Sequence, residues 1–126
     1  MNFFNSGNKG FDCNFDKEFC KTWMRNSTRT NFQWKRHQGS TSSVGTGPHH
    51  DHTTNTDQGY YVYIESSSPA QPNDTAYLIG KDIPNNNGFC LSYWYHMYGP
   101  HVGSFRVYVV VRNIDCKIIS FKFVCG

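Results

Sequence analysis

The sequence lacks a long hydrophobic run and a strong excess of either charge. Its densest apolar stretch is residues 107–111, whereas a membrane-spanning helix needs about 20 predominantly apolar residues. Its 12 Lys and Arg side chains oppose 9 Asp and Glu side chains, for a formal net charge of +3, which is weak for a protein that must neutralise many phosphates. We therefore expect no membrane-spanning segment in this chain and no nucleic-acid partner.

The sequence also lacks the cysteine patterns of metal sites. Its 5 cysteines include neither a CxxC pair nor the Cys and His spacing of a zinc finger. Cysteines at this density in a small chain are typical of disulfide-bonded proteins from an oxidising compartment. No basic region followed by an apolar core opens the chain, so a secretory signal peptide is not visible. These features predict an extracellular protein, and the odd number of cysteines leaves at least one thiol over.

Helical patterns are absent, and strand patterns recur along a chain whose 126 residues correspond to one domain. The expected strands alternate their side chains with a period of two or are rich in aromatic and β-branched residues. They span residues 30–37, 59–65, 75–79, 89–98 and 104–112. The connecting stretches are rich in residues that favour turns. They span residues 39–55, 66–73 and 84–88. The pattern predicts an all-β fold, an antiparallel β-sandwich of jelly-roll type.

Two sets of large apolar side chains are expected in the core of this sandwich. In the last predicted strand, one continuous apolar face alternates with a face that Arg106 and Arg112 mark as partly solvated. The apolar face consists of Phe105, Val107, Val109 and Val111. A second set fits a core better than an exposed stacking platform, because a sandwich of this length needs large side chains inside. This set consists of Trp34, Tyr93, Trp94, Tyr95, Met97 and Tyr98.

A cluster of potential metal ligands lies in the first long loop. His49, His50, Asp51 and His52 are consecutive, and imidazole and carboxylate groups are standard zinc ligands. Their spacing on a Gly- and Pro-containing loop resembles no established zinc motif, so a polar turn is the favoured interpretation and a zinc-dependent hydrolase is the rival one. No nucleophile elbow or HExxH motif is present. We expect no enzymatic activity.

Two sequons for N-linked glycosylation occur next to predicted loops. Asn26 is followed by Ser27 and Thr28, and Asn73 is followed by Asp74 and Thr75. Both tripeptides fit the N-x-[ST] acceptor pattern. The pattern predicts glycans on Asn26 and Asn73, which agrees with an extracellular location.

Several motifs resemble those of the MAM domain, the module shared by meprins, neuropilins and mu-type receptor tyrosine phosphatases. Residues 47–54, Gly-Pro-His-His-Asp-His-Thr-Thr, resemble the family's "GP..DHT" stretch, and residues 90–99, Cys-Leu-Ser-Tyr-Trp-Tyr-His-Met-Tyr-Gly, are similar to its "CL.FWYHMYG" signature. Residues 13–20 look like the family's opening "C.FE…C". The resemblance implies a β-sandwich of jelly-roll type that is incomplete at its C-terminal side.

The resemblance covers roughly residues 12–111. It divides the chain into an N-terminal leader at residues 1–11, a MAM-like domain at residues 12–111 and a divergent tail at residues 112–126. The tail is either a divergent strand or sequence from outside the domain. We favour the second interpretation, because the tail coincides with the positive charge excess of the chain.

The resemblance also implies two cysteine pairs. Cys13 and Cys20 match the family's first disulfide, and their separation lets a tight loop bring the two Cα atoms within bonding range. In the family, the cysteine at Cys90 pairs with a closing cysteine that this chain lacks. Cys90 therefore bonds Cys125 or Cys116 or stays a thiol, and the bridge to Cys125 is the pairing that we predict.

A cation site is implied at two acidic residues. Some MAM domains bind a calcium-like cation through acidic groups near the opening motif and the "DHT" stretch, and Asp16 and Asp51 match these positions. Hard cations prefer oxygen ligands, which suits carboxylates. The expected ligand is a calcium or sodium ion, and no other cofactor is expected.

The function implied by the resemblance is extracellular protein–protein recognition or adhesion, without catalysis, as one domain of a larger membrane or secreted protein. The expected partner is a protein, and a second copy of the chain is one candidate. Two alternatives remain open. One is a carbohydrate-binding jelly-roll module, and the other is a non-functional gene-model fragment.

Overall fold

The chain folds into antiparallel strands joined by turns and loops. The computed structural model describes residues 2–5, 12–84, 90–113 and 116–125. Eight strands lie within these residues: β1 (Asn2–Asn5), β2 (Trp23–Ser27), β3 (Lys35–Gln38), β4 (Tyr60–Tyr63), β5 (Thr75–Pro84), β6 (Leu91–Trp94), β7 (Ser104–Asn113) and β8 (Cys116–Val124). None of the described residues is helical, and none forms a helix long and apolar enough to cross a bilayer. The predicted all-β antiparallel fold is confirmed.

The largest sheet has the strand order β2-β5-β8-β7, and two-stranded sheets pair β1 with β6 and β3 with β4. The inner face of the four-stranded sheet follows from period-two alternation. Leu78 on β5 lies opposite Phe121 on β8, and Phe121 lies opposite Val107 on β7. Leu78 and Phe121 are fully buried. Complete burial of such a side chain stabilises the fold by about 1.5–3 kcal/mol.

A glycine makes room for the largest side chain on this face. Trp23 on β2 is directly opposite Gly80 on β5, and a Cβ atom added at Gly80 would approach the Trp23 ring to 2.9 Å. The indole therefore lies over the glycine and reaches Phe121, whose ring centroid is 5.6 Å away. The pair explains why a glycine, which weakens most strands, occupies the interior of β5.

Aromatic side chains from outside the large sheet cover its inner face. Trp34, just before β3, lies 6.5 Å from the Phe105 ring, and Tyr93 on β6 lies 5.3 Å from the Phe121 ring in an edge-to-face arrangement. Val62 on β4 is buried in the same cluster. These contacts join the strands into a layered core, as expected for a β-sandwich.

Several predicted strands are present with different bounds. The predicted strands at residues 59–65 and 104–112 contain β4 and β7, and β5 runs five residues beyond the predicted end at residue 79. The predicted strand at residues 30–37 is wrong in its first half, where the chain turns, and β3 starts only at Lys35. Strand β6 ends at Trp94 rather than at residue 98. Most of the predicted 84–88 loop, residues 85–88, and the first residue of the predicted 89–98 strand lie outside the described residues.

Strand β8 lies in the predicted tail. Residues 116–124 pair with β5 on one side and β7 on the other, and Ile119, Phe121 and Phe123 are buried in the core. Of the two interpretations of the tail, this pairing supports a divergent strand. Residues 2–5 of the predicted leader pair with β6. The boundaries at residues 11 and 111 stay predictions.

The apolar face of β7 is only partly covered. Phe105 and Val107 pack against the core cluster, but Val109 is 52% exposed and Val111 is 60% exposed. The prediction that this face is buried along its whole length is therefore wrong for its second half. The strand continues beyond the side chains that cover its first half.

Candidate functional site

A cleft separates the loop before β4 from the segment that follows β6. His96 in this segment is held against the loop by a 2.9 Å hydrogen bond between its Nε2 atom and the Thr46 carbonyl oxygen. The cleft has a volume of about 390 Å³, and the residues that line it come from both segments. They are Pro48, His50, Asp51, His52, Asn55, Tyr61, Trp94, Tyr95 and His96.

The aromatic side chains around this cleft are exposed. Tyr95 is 63% exposed and Tyr98 is 70% exposed, and Trp94 and Met97 also reach solvent. The prediction that these four side chains fill the core is wrong, whereas Trp34 is buried as predicted. We call this surface the aromatic patch; it consists of Trp94, Tyr95, Met97 and Tyr98. A signal was present in the sequence, because both alternating faces of residues 91–98 are bulky and one sandwich layer can cover only one of them.

Ring contacts position the patch. The Trp94 indole stacks on the His52 imidazole, with ring centroids 3.8 Å apart and an angle of 20° between their planes. Tyr95 stacks on Phe105, with centroids 6.2 Å apart and an angle of 23°. Phe105 in turn belongs to the packing around the core. The Trp94 and Tyr95 rings are therefore held in place by other rings although they are exposed.

Asp51 organises the loop that supports Trp94. Its side chain is buried, and its Oδ2 atom accepts hydrogen bonds from the backbone N–H groups of Thr53 and Thr54 at 2.7 and 2.9 Å. The Thr54 hydroxyl donates to Oδ1. Burial raises the pKa of Asp51, but the hydrogen bonds from Thr54 and Thr53 outweigh it and hold the pKa below the ordinary value of 3.8. The ionised carboxylate thus closes the turn that places His50 and His52 at the cleft.

Tyr61 closes the floor of the cleft. Its hydroxyl donates a 2.6 Å hydrogen bond to the Gly39 carbonyl oxygen. Burial, with a smaller contribution from Tyr63, raises the pKa of Tyr61 to about 12. The phenol therefore stays protonated at physiological pH and acts as a structural donor.

The residues predicted to hold a cation are engaged in other contacts. Asp51 accepts the hydrogen bonds just described. Asp16 is exposed, and its Oδ2 atom accepts a hydrogen bond from the Asn14 side chain. Within the described part of the chain, no three or more His, Cys, Asp or Glu side chains come together in a group that could hold a metal ion. These donors do not fit a cation site as arranged, and the cation at Asp16 and Asp51 stays a prediction.

The histidines of the loop are not gathered for zinc either. His49 makes a 3.0 Å hydrogen bond with the Ser40 hydroxyl, and His52 stacks on Trp94. The polar-turn interpretation of residues 49–52 describes this geometry, since the turn is closed by Asp51 and its two threonines.

One of the two predicted cysteine pairs forms a disulfide. Cys13 and Cys20 form a disulfide with a Cα–Cα distance of 5.8 Å. No disulfide joins Cys90, whose thiol is exposed, to Cys125, whose thiol is buried. Burial, followed by the charge of Asp74, raises the pKa of the Cys125 thiol. The predicted Cys90–Cys125 bridge is therefore absent from the structure.

The two sequons meet at one end of the β2–β5 pair. Asn26 on β2 and Asn73 in the turn before β5 are both exposed. The Thr28 backbone N–H donates to the Thr75 carbonyl oxygen, and the Thr75 N–H donates to the Thr28 hydroxyl, both at 2.9 Å. Both asparagines are thus on the surface, and glycans on them stay a prediction.

The fold and its bridge define a class, an all-β, disulfide-bonded sandwich domain. Comparison with known families gives the particular one. The sequence profile described as "MAM domain, meprin/A5/mu" matches residues 13–122. The chain belongs to the MAM domain family, as the resemblance predicted, and the match includes most of β8.

Similar proteins carry the same domain name. MAM domain-containing glycosylphosphatidylinositol anchor protein 1 of Gallus gallus is 37% identical over 119 residues, which are 87% of this chain and 12% of that protein. Its Homo sapiens counterpart is 37% identical over 106 residues, 80% of this chain and 11% of that protein. MAM domain-containing protein 2 of Mus musculus is 36% identical over 99 residues, 78% of this chain and 14% of that protein. The chain thus spans roughly an eighth of the length of these relatives. No solved structure gives a significant match.

Proposed function

We propose that this chain is an extracellular recognition module that binds a protein at a cell surface, as one domain of a larger membrane-anchored or secreted protein, without catalysis of its own. Family membership supports an adhesion-type module, and relatives named as glycosylphosphatidylinositol anchor proteins support a cell-surface location.

The observation that carries the proposal is the aromatic patch beside the cleft. Aromatic residues and Met are enriched at the centres of protein interfaces, and Trp and Tyr are over-represented among the residues that dominate binding energy. Trp94 and Tyr95 are held by stacking on His52 and Phe105. Because these two side chains are already held in place, they lose little conformational entropy when a partner covers them.

The same cleft is poorly equipped for catalysis. The side chains that line it in the described residues include no Ser, Thr, Cys or Lys. Asp51 is fixed in the turn, and the Nε2 atom of His96 is bound to a backbone oxygen. A general base needs a nucleophile or substrate proton within hydrogen-bond reach, and these contacts favour binding over chemistry.

The test is adhesion of chain-coated beads to a panel of cells. We expect at least one cell type to bind the beads and trypsin treatment of the cells to abolish binding. Trp94→Ala and Tyr95→Ala should each weaken binding at least about tenfold. Met24→Ala is the matched control, because Met24 is an exposed apolar side chain on β2, outside the patch. Equal losses in all three variants, or no adhesion to any cell, would contradict the proposal.

A carbohydrate ligand is the second candidate, favoured by the exposed Trp94 and Tyr95 rings at a polar cleft. Aromatic rings with a polar rim suit a ligand that has both apolar and hydrogen-bonding faces. In that case glycosidase treatment of the cells, rather than trypsin, should abolish bead binding, and a soluble sugar should quench Trp fluorescence in a way that Trp94→Ala removes.

Glycans on Asn26 and Asn73 are part of the same proposal. Both side chains are exposed, and an extracellular domain passes through the compartment where N-glycans are added. Chain secreted from animal cells should lose mass on treatment with an N-glycosidase. Asn26→Gln and Asn73→Gln should each remove one glycan, and unchanged mass in both variants would argue against the prediction.

A further inference from the structure

A second pocket lies next to the cleft, where the loop before β4, the residues after β4 and the segment after β6 meet. Its volume is about 100 Å³. Met97 and Tyr98 belong both to the aromatic patch and to the lining of this pocket, so the patch and the pocket form one continuous surface. The lining also includes Glu65, which is the one acidic side chain among the described residues there. We call this space the Glu65 pocket.

Aromatic and apolar side chains surround the Glu65 carboxylate. Tyr63, Tyr98 and Phe123 contribute rings to the lining, and Met97 contributes an apolar side chain. The face of an aromatic ring attracts a cation. A carboxylate and several rings around one small space therefore complement a ligand that combines a positive charge with an apolar stem, as Lys and Arg side chains do.

Hydrogen bonds keep Glu65 ionised. Its Oε1 atom accepts hydrogen bonds from the backbone N–H and the hydroxyl of Ser67 at 3.2 and 2.7 Å, and its Oε2 atom accepts one from the Ser43 hydroxyl at 3.0 Å. Burial raises the pKa of Glu65, but the hydrogen bonds from Ser67 and Ser43 and the charge of Lys35 outweigh it and hold the pKa below the ordinary value of 4.5. The carboxylate is therefore negatively charged at physiological pH.

The negative charge of Glu65 is not paired within the described part of the chain. No salt bridge joins it to a described Lys or Arg side chain, and neither residue type occurs in the described lining of the pocket. An ionised carboxylate offers about four lone-pair sites, of which the donors on Ser67 and Ser43 occupy three. The Oε2 atom can therefore accept a further hydrogen bond, and a charged donor would make the strongest one.

The pocket is formed by close contacts of the loop before β4. A Cβ atom added at Gly47 would collide with the Thr41 side chain, and one added at Gly99 would lie 3.0 Å from the Thr46 methyl group. The hydrogen bond from His96 to the Thr46 carbonyl oxygen joins the same loop to the segment after β6. The loop is thus packed against itself and against this segment. Because the pocket exists before a partner arrives, binding costs little ordering on this side.

We propose that the Glu65 pocket receives a basic side chain, an arginine or a lysine, of the protein partner. The cationic group lies at the Glu65 carboxylate, and the stem of the side chain lies against the rings of the lining. This rests on the proposed recognition function, since it names the chemistry that the surface around the aromatic patch selects in its partner.

The experiment is an NMR titration of the isotope-labelled chain with N-acetylarginine amide at up to about 50 mM. Ionic strength is kept constant, because salt screens exposed charges. We expect the backbone amide signals of Glu65, Ser67 and Met97 to shift in a saturable way. N-acetylcitrulline amide is the matched control probe, because a neutral urea group of similar shape replaces the guanidinium group. It should bind at least about tenfold more weakly.

Two variants test the carboxylate and the ring separately. Glu65→Gln removes the charge but keeps an oxygen that accepts hydrogen bonds, and it should weaken binding of the arginine probe at least about tenfold. Tyr98→Leu removes a ring that is 70% exposed, so it should leave the fold intact and weaken binding about threefold. The thermal transition of each variant checks its fold.

Each variant has a control of the same chemical kind outside the pocket. Glu18→Gln changes an exposed glutamate in the disulfide-closed loop, and Tyr108→Leu changes an exposed tyrosine on β7. Neither residue lines the Glu65 pocket. Both controls should bind the arginine probe as the wild type does.

Three results would overturn the inference. They are no saturable shift with the arginine probe, equal binding of the arginine and citrulline probes, and unchanged binding by Glu65→Gln. Bead adhesion is a separate measurement. Beads that adhere to cells equally well with Glu65→Gln, together with a chain that does not bind the arginine probe, would refute the pocket alone. A chain that binds the probe in the pocket but adheres to no cell type would refute only the proposed recognition of a cell-surface partner.

Discussion

Replacing Phe121 with alanine tests whether the end of the chain belongs to the fold. Phe121 on β8 has 0% exposure, and its ring centroid lies 5.6 Å from Trp23, 5.3 Å from Tyr93 and 5.8 Å from Phe105. Phe→Ala in a core costs about 3–5 kcal/mol. Because rings enclose this site from both layers, the cavity cannot collapse easily, and we expect a loss of about 4 kcal/mol in the free energy of unfolding.

The assay is equilibrium unfolding in urea, monitored by Trp fluorescence. Trp23 serves as a reporter of this site because its ring is in contact with Phe121. Lys122→Ala is the control. Lys122 lies on the face of the sheet opposite to Phe121, with its Nζ atom 5.6 Å from the Tyr77 ring centroid. Such a cation–π interaction is worth about 0.5–1 kcal/mol.

A loss below about 1 kcal/mol for Phe121→Ala would refute the placement of β8 in the core. Lack of a cooperative transition in the wild type would instead favour a fragment that does not fold alone.

Three further predictions concern the loop and the bridge. Gly59→Ala should lower stability by about 1–3 kcal/mol in thermal unfolding, because its Cβ would collide with the Asp51 carboxylate, which three hydrogen bonds hold in place; an unchanged midpoint would contradict this. The folded pKa of Asp51 is below 3.8, so its ionised form contributes stability above about pH 4 that is lost as the pH falls through the folded pKa. The advantage of wild type over Asp51→Asn should therefore shrink as the pH falls below about 4 in urea titrations, and a constant difference would argue against the hydrogen-bonded carboxylate. Cys13→Ala should cost about 2–3 kcal/mol, and reductant should lower wild-type stability by a similar amount but leave the variant unchanged.

Strand type was predictable where aromatic and β-branched residues are concentrated, and strand bounds were not. Residues 59–65 are rich in such residues, and Tyr60–Tyr63 form β4 as predicted. Strand β2 was missed because Trp-Met-Arg-Asn-Ser has no period-two pattern, and only its pairing with β5 makes it a strand. Strand β8 was assigned to a tail because its place in the sheet depends on β5 and β7, which are distant in sequence.

The site was predictable only in part. The turn at Asp51 follows from local sequence, since an Asp can accept hydrogen bonds from the backbone two and three residues further on. The exposure of Trp94 and Tyr95 does not follow, because residue type predicts burial for both. The absence of a Cys90–Cys125 bridge could not be predicted from the sequence either, because a disulfide depends on the distance between two side chains and on their direction.

The sequence by itself determined the all-β class, the family and the Cys13–Cys20 bridge, because each depends on residues that are close together in the chain. Only the tertiary structure decided which apolar side chains are covered. Period-two alternation assigns Val107 and Val109 to the same face of β7, but a residue on that face is buried only where a second layer lies over it. Among the described residues, Phe105 and Val107 have such a layer and Val109 and Val111 do not, so the exposure of the second half of this face is a property of the packing.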